Sequence, residues 1–150
     1  DVNIRAVHIL TKLFLKDFKE RDSGYILNVA SSAAFLPGPL LSTYYASKAY
    51  VLRLTEAVSE ELRRAVSRVY IGALCPGPVA TEFDRTANVR FSVKNLPSRR
   101  VAEYAIRGMF ARRRVIVPGA AMKAALFLPR LIPSGLLLRI SYHLQKRKDP

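Results

Sequence analysis

An α/β fold built on a parallel sheet is what this sequence predicts, and three observations carry the prediction. Short apolar runs at Tyr25–Ala30, Val69–Cys75 and Arg114–Pro118 alternate with stretches whose apolar residues recur every three or four positions. The first two runs flank one long amphipathic pattern, the spacing of a strand–helix–strand crossover between parallel strands. Each run ends in small or turn-forming residues: Ser31-Ser32, Pro76-Gly77-Pro78 and Gly119.

Taken in order, the chain opens on a helix from Asn3 to about Lys19, with Ile4, Val7, Leu10, Leu13, Phe14 and Phe18 as its buried stripe. Arg21-Asp22-Ser23-Gly24 stops it, and Tyr25–Ala30 follows as a strand buried on both faces. A small-residue loop from Ser31 to Ser42 carries Pro37-Gly38-Pro39 to a second helix starting near Thr43, with Ser42 or Thr43 as its N-cap. Its predicted buried stripe is Ala46, Ala49, Tyr50, Leu54, Ala57, Val58 and Leu62, with Arg53, Glu56, Glu60, Arg63 and Arg64 outward. After the second strand, the polar stretch from Asp84 to Asn95 has no apolar period and reads as a loop suited to a lid. Pro97-Ser98 introduces a helix to about Arg113, and the third strand follows.

A chain of 150 residues that is 50% hydrophobic can build one domain core. Its opening, Asp1-Val2-Asn3-Ile4, runs straight into a helix with no strand before it, so the expectation is the later part of a domain. The net charge of +14 would suit a polyanion, but the basic residues lack the interleaved aromatics of a strand-binding groove. A solvated basic surface is therefore expected, and no nucleic-acid partner. Cys75 is alone and His8 and His143 lie far apart, so neither a disulfide framework nor a metal site is expected.

The chemistry concentrates in Tyr44-Tyr45-Ala46-Ser47-Lys48. Residues four apart on a helix share a face, so Tyr44 and Lys48 project together. A free tyrosine titrates near 10, and exchanging its proton near neutrality calls for about 3–4 kcal/mol of help. A neighbouring ammonium supplies such help by favouring the phenolate. Such a pair alone is weak testimony, since it arises by chance in many chains. Its company strengthens it: Ser31 stands thirteen positions before Tyr44, just past the first strand, and Pro76-Gly77 closes the next strand. Ligands of open parallel sheets collect at the carboxyl ends of the strands, which should bring these residues to one crevice.

Asn28-Val29-Ala30-Ser31-Ser32, Tyr44-Tyr45-Ala46-Ser47-Lys48 and Pro76-Gly77-Pro78-Val79-Ala80-Thr81 resemble, in order and spacing, three signature motifs of the short-chain dehydrogenases/reductases. The resemblance spans roughly residues 1–83. It implies a partial Rossmann-like, doubly wound parallel sheet, with residues 1–150 as the carboxy-terminal part of a single NAD(P)-binding domain. The glycine-rich turn that seats the pyrophosphate is absent from the sequence. The implied activity is hydride transfer between NAD(P)(H) and a carbonyl or alcohol. Tyr44 would be its general acid/base, Lys48 its electrostatic partner and a donor to the nicotinamide ribose, and Ser31 the group polarising the substrate oxygen. Ser32 competes with Ser31, but the thirteen-residue interval favours Ser31. Asn3 falls where the family places an asparagine that helps hold a proton-relay water. The resemblance sets Pro76, Gly77, Val79 and Thr81, with Tyr44 and Lys48, at the cofactor. NADP or NAD would serve, with NADP put first, although the residue that selects between them is not in this sequence.

Residues from about 120 to 150 form an apolar, basic tail in which Arg130, Arg139, Pro129 and Pro133 rule out a spanning helix. Such a segment covers a groove of the parent domain or rests at a membrane surface, and packing is the plainer reading. The expected setting is cytoplasmic, with peripheral membrane contact through the tail as the second option. The family implies a homodimer or homotetramer for the complete protein. The alternative to catalysis is a dinucleotide-sensing scaffold or an inactive fragment, and the 150 residues alone are expected to be inactive because their sheet would have an open edge.

Overall fold

A computed structural model describes residues 1–80 and 95–146, apart from the side chains of residues 80, 130 and 144. The chain begins in a π-helical turn, Val2–Ala6, that runs into α1 (Val7–Glu20). Strand β1 (Tyr25–Val29), a 3-10 turn (Ser32–Phe35), α2 (Ser42–Arg64) and β2 (Tyr70–Leu74) follow. Then come β3 (Val79–Ala80), β4 (Leu96–Pro97), α3 (Ser98–Phe110), β5 (Val115–Ile116), α4 (Ala120–Phe127), a 3-10 turn (Leu128–Leu131) and α5 (Ser134–Lys146).

The predicted α/β architecture is present. Strands β1, β2 and β5 form a parallel sheet in that order, with Tyr25 opposite Tyr70, Val29 opposite Leu74, and Leu74 opposite Ile116. Helices lie on both faces. On one side Ala73 and Cys75 meet Val51 and Leu52 of α2, both 0% exposed. On the other, Leu74 and Ile116 meet Val101 and Ala105 of α3. This alternation is the period of two that an extended chain imposes, so neighbouring residues of β2 feed different layers. Gly108 of α3 lets that helix lie close, because a Cβ there would stand 2.8 Å from the Ile116 side chain. A second, two-stranded parallel pair joins β3 to β4, with Val79 opposite Leu96; elements two residues long leave no periodic signal in sequence.

Three expectations about burial need correcting. Helix α1 turns Val7, Thr11, Leu15 and Phe18 inward, whereas Ile4, Leu10, Leu13 and Phe14 are exposed. The helix carries two apolar stripes, and periodicity alone cannot say which one meets the sheet. Helix α2 buries Ser47, Val51, Leu52, Thr55 and Leu62, while Ala46, Tyr50 and Ala57 lie outside. The inward stripe contains two hydroxyl residues, which a hydrophobicity reading rotates away from. Strand β1 is not buried on both faces either: it is an edge of the described sheet, and Tyr25 and Val29 at its ends are exposed. A smaller correction concerns the start of α2, where Leu41 occupies the cap position and makes no side-chain capping bond.

Candidate active site

Parallel strands that end together present their carboxyl ends to one crevice, and here the ends of β1 and β2 are fastened to each other. Ala30 donates its N–H to the Leu74 carbonyl at 2.8 Å, and Ser32 donates to the Pro76 carbonyl at 2.8 Å. The second bond binds the serine loop to the Pro76-Gly77-Pro78 turn. Ser31 is extended, at φ −171° and ψ 162°, and its Oγ accepts the Ala33 N–H at 3.1 Å. It thereby caps the 3-10 turn, and its half-buried side chain is fixed at the strand end.

Helix α2 brings the other two residues. The Lys48 ammonium reaches over to the end of β1 and donates to the Val29 carbonyl at 3.3 Å, two residues before Ser31. It also lies 5.9 Å from the centre of the Tyr44 ring. Lys48 is half-buried, and burial lowers its pKa from the ordinary lysine value, with the neighbouring Cys75 thiol pulling the other way. Ser31, Tyr44 and Lys48 are therefore gathered at one end of one sheet. The Ser47 hydroxyl donates to the Tyr44 carbonyl at 2.7 Å, holding the first turn of the helix under the tyrosine.

The remaining sequence-predicted residues are placed less closely. Pro76 and Gly77 form the turn tied to Ser32, and Met122 of α4 sits where a Gly77 side chain would project. Val79 is half-buried and packs toward the cluster of Leu74, Val101 and Ile116, with its backbone in β3. Asn3 lies exposed in the π-helical turn, which packs against α2. Single π turns inside helices widen the backbone ladder and are frequent at functional sites. Thr81, and the Asp84–Asn95 stretch except Asn95 itself, lie outside the described residues.

Other contributors escaped the sequence reading. Asn28 is buried in β1, where its amide Nδ2 donates to Thr55 Oγ1 at 2.9 Å and its Oδ1 accepts from Thr11 Oγ1 at 3.3 Å. Thr55 in turn donates to the Val51 carbonyl at 2.7 Å. This chain locks α1 and α2 onto the strand that carries Ser31, and buried polar groups that are mutually satisfied fix such a register. The signal was available as a lone polar residue inside an apolar strand run. The Tyr45 ring covers Gly38, and the side chain of buried Gln145 of α5 lies near the Tyr45 side chain. Leu40, in the same loop, takes φ +68°, a left-handed conformation that costs a branched side chain energy. Cys75, 0% exposed just past the end of β2, is an inert filler, because burial pushes its thiol up to about 12.

Comparison with known proteins agrees with this fold. The family model described as short chain dehydrogenase matches residues 1–90. Human 17-beta-hydroxysteroid dehydrogenase type 3 is 38% identical over 92 residues, which are 61% of this chain and 29% of that protein. Dehydrogenase/reductase SDR family member 4 from Bos taurus is 40% identical over 85 residues, covering 57% of this chain and 30% of the relative. Among solved structures, a short-chain dehydrogenase from Sphingobium yanoikuyae in complex with NADPH superposes with a TM-score of 0.70 at 27% identity, covering 86% of this chain and 52% of that one. A short-chain dehydrogenase/reductase from Burkholderia phymatum in complex with NAD gives 0.73 at 26%, covering 85% and 54%. The chain thus spans about half the length of these solved structures, and the matched stretch is under a third of each curated relative. With the parallel sheet, the Ser31–Tyr44–Lys48 gathering and a family match over more than half its length, the chain belongs to the short chain dehydrogenase family.

Proposed function

We propose that this chain carries the proton-transfer and substrate-orienting end of an NAD(P)-dependent oxidoreductase acting on a carbonyl or alcohol. The observation that carries the reading is the gathering of Ser31, Tyr44 and Lys48 at the carboxyl ends of β1 and β2. Tyr44 delivers a proton to the substrate oxygen during reduction and takes it back during oxidation. The Lys48 ammonium beside it favours the phenolate form, and its lowered pKa marks a charge that its surroundings leave under-solvated. Ser31 holds the substrate oxygen from the strand end, where its backbone is already fixed. Asn3 contributes from the π-helical turn to the relay that re-supplies Lys48 with protons.

The donor set fits the nicotinamide end of a dinucleotide. A lysine ammonium suits ribose hydroxyls, and a proline–glycine turn pinned to the serine loop presents backbone without bulky side chains. Lys48, Tyr44, Pro76, Gly77, Val79 and Thr81 would hold that end, and the bound cofactor would supply the hydride. Solved relatives carry NADPH in one case and NAD in another, and both remain in the proposal. The substrate proposed is an apolar carbonyl, in line with relatives named for a hydroxysteroid and, in Rattus norvegicus, for very-long-chain 3-oxoacyl-CoA. Two copies would meet through the outer faces of α1 and α2, where Leu10, Leu13, Phe14 and Tyr50 are exposed.

Replacing Tyr44 by Phe in the complete protein tests the reading. Turnover should fall at least about a thousandfold, a loss of roughly 4 kcal/mol in transition-state stabilisation, with cofactor affinity nearly unchanged. Retained turnover would remove Tyr44 from the mechanism.

A further inference from the structure

The tail from α4 to α5 is inside out. Helix α5 buries Ser141 and Gln145, each 8% exposed, and turns Leu136 and Ile140 toward solvent. At the end of α4 and in the turn that follows, Phe127 is 57%, Leu128 62% and Leu131 71% exposed, while Leu126 is buried. This is no loosely attached peptide. Met122 lies against Gly77, and Ser141 and Gln145 are buried with Gln145 near Tyr45, so both helices are docked on the body and their large apolar side chains are held outward. A helix that packs polar residues inward and apolar residues outward is arranged for an apolar surface outside the protein.

Charge indicates which surface. Between Glu103 and Asp149 the sequence has ten Lys and Arg and no Asp or Glu. Lys123, Arg139 and Lys146 are exposed on the same two helices, Lys123 with its ammonium on the Tyr104 hydroxyl. The exposed apolar stripe of α1 differs, since Asp17 and Glu20 share that helix with its lysines, as suits a protein partner. Among the described residues no helix is long and apolar enough to cross a membrane. Short helices with outward Leu and Phe and an acid-free basic margin match the headgroup boundary of an anionic bilayer, where apolar burial and cationic attraction act together.

We propose that the segment from Ala120 to Lys146 seats the protein on an anionic lipid surface, with Phe127, Leu128, Leu131, Leu136 and Ile140 entering the headgroup layer. Because α4 and α5 border the Gly77 turn and Tyr45, the catalytic crevice would open beside that surface. Lipid contact itself does not depend on catalysis.

The test is co-sedimentation of the complete protein with vesicles of phosphatidylcholine alone or of phosphatidylcholine with phosphatidylglycerol. Binding to the mixed vesicles should exceed binding to the neutral ones at least tenfold and should weaken as salt rises. The exposed double substitution Leu131→Glu with Leu136→Glu should bring binding to background, and Lys123→Glu with Arg139→Glu should cut it severalfold. Both variants alter only exposed side chains, and an unchanged melting temperature confirms that each is folded. Tyr44→Phe should bind vesicles as the parent does, which separates failure of this proposal from failure of the catalytic one. Equal binding to neither or both vesicle types would overturn the proposal. So would full binding by the Leu131→Glu, Leu136→Glu protein, or a change in that variant confined to oligomeric state.

Discussion

The two ends of the parallel sheet are built on opposite principles. At the amino end, where β2 begins, charges are matched. The Asp22 carboxylate accepts from the Ser67 hydroxyl at 2.7 Å, the Arg68 N–H at 2.8 Å and Arg68 Nε at 3.1 Å. Those bonds, Ser67's first, hold its carboxyl below the ordinary range. Glu60 accepts two bonds from Arg63 and one from Arg64, and the Arg63 hydrogen bond is the main reason its pKa falls to about 2. Arg112 donates to the carbonyls of Arg68 and Val69. At the carboxyl end the Lys48 ammonium has a carbonyl at 3.3 Å and no salt bridge among the described residues, and its pKa is pushed down rather than up. A charge that the fold stabilises poorly is one kept for a ligand or a reaction; a charge that the fold stabilises well is structural.

The sharpest way to break this contrast is at Ser31. On the proposed role of Ser31, Ser31→Ala should lower turnover of the complete protein by about 10²–10³, the usual loss for one polarising donor. It should lower stability only by about 1 kcal/mol, through the lost cap on the 3-10 turn. Kinetics of Ser31→Thr, which keeps the hydroxyl, would show whether activity returns. If Ser31→Ala turned over normally, the carboxyl end would hold no substrate-polarising hydroxyl at this position.

Next in size is the network that locks α1 and α2 onto β1. Asn28→Ala should destabilise the fold by about 1–3 kcal/mol in urea unfolding, because the buried Thr11 hydroxyl loses its acceptor and Thr55 loses its donor. An unchanged midpoint would mean that water replaces the amide. Smaller still is the effect expected at Leu40. Its φ of +68° suits glycine, so Leu40→Gly should be neutral or stabilising by up to about 1 kcal/mol, whereas most leucine-to-glycine changes destabilise.

The smallest effect belongs to the exposed Glu60 cluster, and it depends on pH. Glu60 titrates near 2 in the fold against an ordinary 4.5, so its stabilisation is complete above 4.5 and is lost as pH falls toward 2. Thermal midpoints of Glu60→Gln should therefore lie slightly below those of the parent at neutral pH and converge with them in acid. A gap that widened in acid would contradict the assignment.

The sequence placed the candidate site residues better than it placed the packing around them. Their common place at one end of the sheet was legible for Ser31, Tyr44 and Lys48 because Ser31 follows a strand end directly and a four-residue step on a helix leaves little freedom in direction. The inward faces of α1 and α2 were not legible, because α1 has two apolar stripes and α2 buries Ser47 and Thr55. Asn28 was visible as an oddity in an apolar run, but its partners Thr11 and Thr55 come from two other elements. Met122 and Gln145 reach Gly77 and Tyr45 from far along the chain, through contacts that no local pattern encodes. The short strands β3 and β4 pair across a long interval and leave no period to detect.

Replacing Lys48 by Met and reading two quantities from one protein, turnover per folded molecule and thermal midpoint, tests the contrast most directly. A charge held under-solvated for catalysis predicts a loss of turnover of at least about a thousandfold with a midpoint that holds or rises at neutral pH, since the burial of the ammonium is relieved. A fallen midpoint with turnover intact would make Lys48 a structural residue and contradict the account of both ends of the sheet.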